Sequence, residues 1–96
     1  MPNRITIYGK AGEQNTKRIQ RELGSLALTY NFHDIVKQPQ QVARLQELGA
    51  VTDIYPKVEI VCNHAPGSVF LTNPDTETLK QTLYAEEVLG VTSYWV

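Results

Sequence analysis

The residue types that carry out most protein chemistry are few in this sequence and lie far apart. Cys62 and His64 are separated by one residue, and together they supply two metal ligands where a zinc site needs three or four. His33 beside Asp34 has the types of an oriented base, but a strand-like context favours a structural histidine. A lone cysteine is most often buried and unreactive. These residues therefore predict neither a metal site nor a redox nucleophile.

Length and composition limit the class of protein. The 96 residues, 10.8 kDa, are enough for one domain, and a mean hydropathy of -0.29 with 20 % charged residues is typical of a globular chain. A net charge of -1 gives no positive field, so nucleic acid and anionic membranes are excluded as expected partners. We expect a cytoplasmic single domain spanning 1–96, with a core over about 4–89 and a tail over 90–96.

Hydrophobic periodicity predicts an alternation of strands and helices in the first half of the chain. Arg4–Tyr8 is rich in β-branched and aromatic residues, which predicts a strand that stops at Gly9. Residues 13–23 have helical spacing, with Gly24 as the expected C-terminal stop. Tyr30–Ile35 predicts a second strand by its alternation.

The second half predicts one more helix, a hairpin and a final helix. Pro39 suits the first turn of a helix that closes at Gly49, and Lys57–Cys62 reads as a third strand. A turn at 63–67 then predicts that 69–71 pairs back antiparallel. In the last helix, which reaches toward Glu87, we expect Asn73 as N-cap and Pro74 at the first position. The order β-α-β-α-β-β-α predicts one mixed four-stranded α/β sheet covered by helices.

Several segments resemble the glutaredoxin family when they are taken together. They are Ile5–Gly12 followed by Lys17 and Arg18, then Tyr30–Ile35 with Pro39, then Val51–Ile60, and the similarity extends over residues 4–85. The resemblance implies a thioredoxin-like, glutaredoxin-type three-layer fold. It also implies that Pro56 is a cis-proline that flanks the active site.

The same resemblance exposes a chemical departure. Where glutaredoxins carry C-x-x-C, this sequence has Glu13 and Thr16, with Gln14 and Asn15 between them. Thiol–disulfide exchange needs a thiolate that attacks a disulfide, and neither a carboxylate nor a hydroxyl replaces it. The family's glutathione signature before the last helix is also missing, because Leu71–Asp75 stands there. The sequence therefore predicts a degenerate active site.

The resemblance implies a relic ligand groove made of Lys10, Glu13, Thr16, Tyr55 and Pro56. Glu13 is either an ordinary charge at a helix N-terminus or a fixed mimic of the thiolate. Thr16 is expected to pack and to bond back to an earlier carbonyl. Lys10 matches the family lysine that meets glutathione, or is simply solvated. Tyr55 either fills the groove or offers its ring to a partner.

Two further surfaces carry expectations. The basic residues of the first helix are expected to form a solvent face with Lys10, and they are Lys17, Arg18 and Arg21. The tail Val91–Val96 holds the only tryptophan, so it either folds back on the domain or completes a homodimer or a partner groove.

Three functions follow as hypotheses. The first is a binding or assembly module without catalysis, with a protein partner and no cofactor. The second is a sensor that binds glutathione or a thiol peptide. The third is an atypical glutathione-dependent enzyme that uses Tyr8 or Cys62, since some glutathione transferases activate glutathione with a tyrosine at the end of the first strand. The acidic-Ser signature of that family is absent from this sequence.

Overall fold

Seven elements follow one another in the order that the sequence predicts. The computed structural model describes residues 4–47, 54–62, 64–86 and 88. Its strands and helices are β1 (Ile5–Gly9), α1 (Gln14–Ser25), β2 (Asn31–Asp34), α2 (Gln40–Glu47), β3 (Lys57–Val61), β4 (Ser68–Thr72) and α3 (Thr76–Ala85). The strands form one mixed sheet, so the predicted fold class is confirmed.

The sheet has the strand order β2-β1-β3-β4. β1 and β2 run parallel, because α1 returns the chain to the end of the sheet where β1 began. β3 lies antiparallel to β1, and β4 pairs back on β3 as the predicted hairpin. Ile7 of β1 is opposite Phe32 on one side and Val58 on the other. This register fixes which side chains share a face of the sheet.

One face of the sheet carries the main apolar core. Alternate residues of β1 and β3 point to this face, where they pack against α1 and α3. The fully buried members of the cluster are Ile5, Ile7, Ile19, Leu23, Val58, Ile60, Leu79 and Leu83. Because α1 and α3 supply two residues each to this list, the core fixes both helices on the sheet.

The opposite face, toward α2, holds a smaller and more polar cluster. Tyr8, Ile35 and Leu45 form its buried apolar part. The Tyr8 hydroxyl donates to Glu59 Oε1 at 2.7 Å and accepts from Arg44 Nη1 at 3.0 Å. Ser68 donates to the second Glu59 oxygen at 2.8 Å. Hydrogen bonds between side chains therefore link α2 to three strands on this face.

Two predicted helix boundaries are wrong. Gly24 does not stop α1, which continues through Ser25, and the left-handed residue beyond the helix is Ala27, with φ 57°. Asn73 does not cap α3, because its own φ is 41°, and Asp75 is the N-cap instead. In both cases the tertiary structure extended or shifted the element by about two residues, as is common at helix ends.

Other strand boundaries differ by one or two residues from the prediction, and Gly9 lies within β1 rather than after it. No helix in the described residues is long and apolar enough to cross a membrane. The predicted end of the second helix at Gly49, the segment 51–53 and the tail Val91–Val96 lie outside the described residues.

Candidate functional site

The candidate site lies where the C-terminal end of β1 meets the start of α1 and Pro56. Gly9, Thr16 and Pro56 are all buried and in direct proximity. A Cβ placed on Gly9 would lie 2.5 Å from Thr16 Oγ1 and 3.3 Å from Pro56 Cβ. The helix and the proline can approach the strand this closely only because residue 9 has no side chain. The Tyr55–Pro56 peptide bond is cis.

Glu13 caps the N-terminus of α1 with its own carboxylate. Its Oε1 atom accepts from the backbone N–H of Thr16 at 3.0 Å and from the Thr16 hydroxyl at 3.0 Å. The backbone hydrogen bond from Thr16 lowers the pKa of Glu13 below its ordinary value, helped by the Thr16 hydroxyl, the Asn15 N–H and the charge of Lys10. A carboxylate in this place also complements the positive end of the helix dipole. Glu13 is therefore ionised at neutral pH.

Thr16 occupies a buried position one turn into α1. The expectation that its hydroxyl bonds to an earlier carbonyl is wrong, because Oγ1 donates to the Glu13 carboxylate instead. The N-cap carboxylate competes successfully for this donor, since hydrogen bonds to charged acceptors are stronger than those to neutral ones. Glu13 and Thr16 thus form one unit at the end of the helix.

Arg18 corrects the expectation of a uniformly solvated basic face on α1. Its Nη2 atom donates to Asn73 Oδ1 at 3.2 Å and to the Pro74 carbonyl at 2.9 Å. Its Nη1 atom lies 3.1 Å from Glu22 Oε1 in an i,i+4 ion pair. The Asn73 N–H in turn donates to the Pro56 carbonyl at 2.8 Å. Arg18 therefore connects α1 to the turn before α3 and, through Asn73, to Pro56.

The N-terminus of α3 is capped in the same manner as that of α1. Asp75 accepts from the Thr78 N–H at 2.7 Å. This backbone hydrogen bond, with the Thr78 side chain and the nearby Arg18 charge, lowers the pKa of Asp75 below its ordinary value. Both helices that start near the site are therefore capped by carboxylates of the chain itself.

The remaining predicted site residues are Lys10, which is exposed close to Glu13, and Tyr55, which lies on the α2 face of the sheet. Lys10 is exposed, and its carbonyl accepts from the Glu13 N–H at 3.0 Å. Tyr55 packs against the cluster of Tyr8, and Lys57 Nζ lies 5.6 Å from the centre of the Tyr55 ring. The ring of Tyr55 is thus directed toward the α2 face. Ile54, the residue before Tyr55, is exposed.

The structure buries one of the proposed alternative nucleophiles and places the other at the far end of the sheet. Tyr8 is fully buried under α2, and desolvation with the Glu59 hydrogen bond raises its pKa to about 12, which disfavours a tyrosinate. Cys62 follows β3 at the end of the sheet where β1 begins, since Ile5 pairs with Ile60 and Tyr8 with Lys57. The candidate site is at the opposite end.

His33 is held as a structural residue. Its ring stacks on Tyr8 with centroids 5.4 Å apart, and Nδ1 lies 2.8 Å from Gln38 Oε1. Asp34 accepts from the Val36 N–H at 2.9 Å instead of orienting the histidine. Among the described residues, no three His, Cys, Asp or Glu side chains come together as metal ligands would.

The comparison with solved structures finds an archaeal glutaredoxin among its matches. The fold is similar to that of a glutaredoxin from Archaeoglobus fulgidus, with a TM-score of 0.65, over 82 % of this chain and 84 % of that one. The fold is glutaredoxin-like. Sequence identity to that protein is 15 %, so the likeness concerns the fold alone. No family model matches this sequence, and no curated protein is significantly similar to it.

Within this glutaredoxin-like fold, three residues at the site have roles that sequence reasoning missed. Gly9 permits the close approach of Thr16 and Pro56. Arg18 and Asn73 join α1 to the turn before α3. The only sequence signal for Gly9 is a glycine at the end of a strand, which also fits a simple stop. Arg18 and Asn73 are 55 residues apart, and no local pattern connects them.

Proposed function

We propose that this chain is a glutaredoxin-like binding module that does not carry out thiol–disulfide exchange. The observation that carries the proposal is the Glu13 carboxylate at the N-terminus of α1, with Thr16 as its donor. By the resemblance of the sequence to glutaredoxins, this is the position of the attacking thiolate. A carboxylate keeps the negative charge of that thiolate but cannot form a mixed disulfide.

The groove beside Glu13 supplies the binding surface in this proposal. Lys10 and Glu13 contribute opposite charges, and Ile54, two residues before Pro56, contributes an exposed apolar side chain. Such a mixture suits an extended segment of a protein partner, since extended peptides pair with exposed backbone and place alternate side chains in the groove. No cofactor takes part in this proposal.

A second candidate function is binding of glutathione without chemistry, as in a sensor. Exposed Lys10 favours it, because a free ammonium group at the rim can meet a carboxylate of the tripeptide. The carboxylate caps of α1 and α3 oppose it, because they already accept from N–H groups that an anion would use. Glutathione would therefore have to bind through Lys10 and apolar contacts.

The test of the proposal is a gain of function at residue 13. In a Cys62→Ser background, Glu13→Cys is expected to give a thiol whose pKa is about one unit or more below that of an ordinary cysteine, because of the helix N-terminus. The matched control is Ser25→Cys, at the other end of the same helix. We expect Glu13→Cys to reduce a glutathione mixed disulfide faster than the control, and the unaltered chain to show only background reduction.

Two results of this experiment would contradict the proposal. Reduction by the unaltered chain well above a heat-inactivated sample would refute the absence of exchange. Equal rates for Glu13→Cys and Ser25→Cys would show that the groove no longer resembles a glutaredoxin site.

The second candidate function, glutathione binding, is tested by a two-dimensional amide NMR titration with reduced and oxidised glutathione. Saturable shifts at residues 10–16 and 54–56, abolished by Lys10→Glu, would establish the glutathione-binding function.

A further inference from the structure

Strand β4 forms one edge of the sheet, and among the described residues no strand pairs with its outer side. Two hydrogen bonds identify the inner side: the Cys62 N–H donates to the Gly67 carbonyl at 3.1 Å, and the Asn73 N–H donates to the Pro56 carbonyl at 2.8 Å. Successive residues of an antiparallel strand direct their backbone groups to opposite sides, so Gly67 and Asn73 fix the alternation between them. The residues whose N–H and C=O groups point outward are Ser68, Phe70 and Thr72.

The sequence of β4 does not protect this edge. Natural sheets usually protect an exposed edge with a charge, a proline or a bulge. β4 reads S-V-F-L-T and pairs with β3 residue by residue, so it has none of these. The other edge strand, β2, is four residues long and ends in Asp34, whose charge disfavours pairing. β4 is therefore the edge at which the sheet can accept a further strand.

We propose that two copies of the chain pair through β4, antiparallel and centred on Phe70, so that their sheets become one continuous sheet. The ends of the strand fix this register. Pro66 and Pro74 occupy the next outward positions before Ser68 and after Thr72, and proline has no N–H to donate. With Phe70 opposite Phe70, every outward residue of β4 exchanges both hydrogen bonds with the second copy. A shift by two residues in either direction would place a proline opposite the strand.

The side chains of β4 complement those of a second copy in this register. Phe70 packs beside the cluster of the α2 face and is half-buried, so its ring would meet the ring of the second copy on that face. On the α1 and α3 face, half-buried Val69 would lie opposite Leu71. Ser68 would lie opposite Thr72, and no charge of β4 would meet another. The strand is thus self-complementary, as a twofold interface requires, which favours a second copy over an unrelated segment.

The expected dimer is weak. A five-residue ladder buries less than the roughly 1,200 Å² of a stable interface, so we expect a dissociation constant of about 10–1,000 µM. The inference does not rest on the proposed function of the Glu13 groove, because Lys10 and Glu13 lie outside β4. Sedimentation equilibrium of the full chain up to about 1 mM should show a monomer and a dimer in exchange. A chain that stays monomeric at that concentration would overturn the proposal.

Amide hydrogen exchange, followed by NMR at several protein concentrations, tests the position of the interface. The Phe70 and Thr72 amides should exchange quickly in dilute protein and more slowly as the dimer forms. The Val69 and Leu71 amides are the internal control, since they bond to β3 and should be protected at every concentration. Slow exchange of Phe70 that does not depend on concentration would overturn the proposal. It would show that a segment of the same chain, such as Val91–Val96, covers the edge.

Charges at the centre of the interface provide the sharpest variants. Phe70→Lys and Phe70→Glu should each raise the dissociation constant about tenfold or more, since each removes the aromatic pair and sets two like charges opposite each other. An equimolar mixture of the two variants should pair again, because the charges are then opposite. The control is Val36→Lys, at a residue that is 68 % exposed and outside β4, and it should dimerise like the unaltered chain.

Equal weakening by Val36→Lys and Phe70→Lys, or no recovery in the mixture of folded variants, would overturn the proposal. If the Phe70 variants fail to fold, the unaltered chain decides the question. In a mixture of labelled and unlabelled chain, the Hα atoms of Val69 and of Leu71 in the second copy should give an intermolecular NOE, because directly opposite residues between the hydrogen-bonded pairs are the closest. A concentrated dimer without this NOE would contradict pairing through β4.

Discussion

The two faces of the sheet are built from the same strands but are held by different interactions. On the α1 and α3 face, Ile7 and Val58 lie side by side in a wholly apolar core. On the α2 face, the next residue of β1, Tyr8, joins Glu59 and Arg44 through hydrogen bonds. Burial of apolar side chains does not depend on particular partners, whereas a hydrogen-bonded network needs every partner in place. We therefore expect substitutions on the first face to lower the free energy of unfolding most. On the second face, we expect the free energy of unfolding to depend on pH.

The largest expected effect is on the apolar face. Ile7→Ala should lower the free energy of unfolding by about 3 kcal/mol, since it leaves a cavity at a fully buried position. Val36→Ala is the control, because Val36 is 68 % exposed and its truncation should cost less than about 0.5 kcal/mol. Urea unfolding of both variants measures the difference.

If Ile7→Ala fails to fold, Ile7→Val keeps the comparison testable with a cost of about 1 kcal/mol. Equal costs for Ile7→Val and Val36→Ala would mean that this face is not the main core.

The next effect concerns two glycines, Gly9 at the end of β1 and Gly24 in the last turn of α1, whose substitution should change stability in opposite directions. Gly9→Ala should destabilise by about 2 kcal/mol, because the new Cβ would overlap Thr16 Oγ1. Gly24→Ala should stabilise by about 0.5–1 kcal/mol, since Gly24 is helical and nothing lies within 4 Å of an added Cβ. Thermal unfolding of the pair checks this. A neutral Gly9→Ala would contradict the close contact at the site.

On the α2 face, Tyr8→Phe should cost about 1.5 kcal/mol, because it removes the hydroxyl that links Glu59 to Arg44. Tyr84→Phe is the control, since Tyr84 is 56 % exposed. Equal losses of unfolding free energy in Tyr8→Phe and Tyr84→Phe would show that the hydrogen bonds of the Tyr8 hydroxyl do not stabilise the fold.

The pH dependence of the same residue sharpens the test. Folding raises the pKa of Tyr8 from 10.0 to about 12, so the folded state favours the neutral phenol. The resulting stabilisation is complete below pH 10.0 and is lost as the pH rises through about 12. Over this pH range, the free energy of unfolding should fall more steeply for the unaltered chain than for Tyr8→Phe. Identical slopes would rule out a raised pKa for Tyr8.

The smallest expected effect concerns the cap of α1. Glu13→Ala should cost about 1 kcal/mol at neutral pH, as for other N-caps. The pKa of Glu13 is lowered from 4.5, so its stabilisation is present above that pH and is lost as the pH falls through the folded-state pKa. Glu47→Ala, at the end of α2, should have little effect at any pH. A cost for Glu13→Ala that persists in strong acid would show that charge is not its cause.

Local patterns predicted the element types well because each depends on neighbouring residues. The β-branched run of β1 and the helical spacing of α1 are visible without tertiary information. Glu13 at the start of α1 was also foreseeable, since carboxylates favour helix N-termini. The sequence predicts Asn73 as the cap of α3, but Asp75 caps it, since Asn73 has a positive φ and its side chain accepts from Arg18 instead.

The order of strands and helices, the carboxylate of Glu13 before the first helix, and the presence of a single cysteine, Cys62, can all be read from the sequence. The contacts of Tyr8 with Glu59, of Arg18 with Asn73, and of Gly9 with Thr16 and Pro56 are visible only in the folded chain. The physical reason is the distance along the sequence over which each interaction acts. Periodicity and capping act over a few residues, whereas these contacts join segments up to 55 residues apart and depend on the register of the sheet.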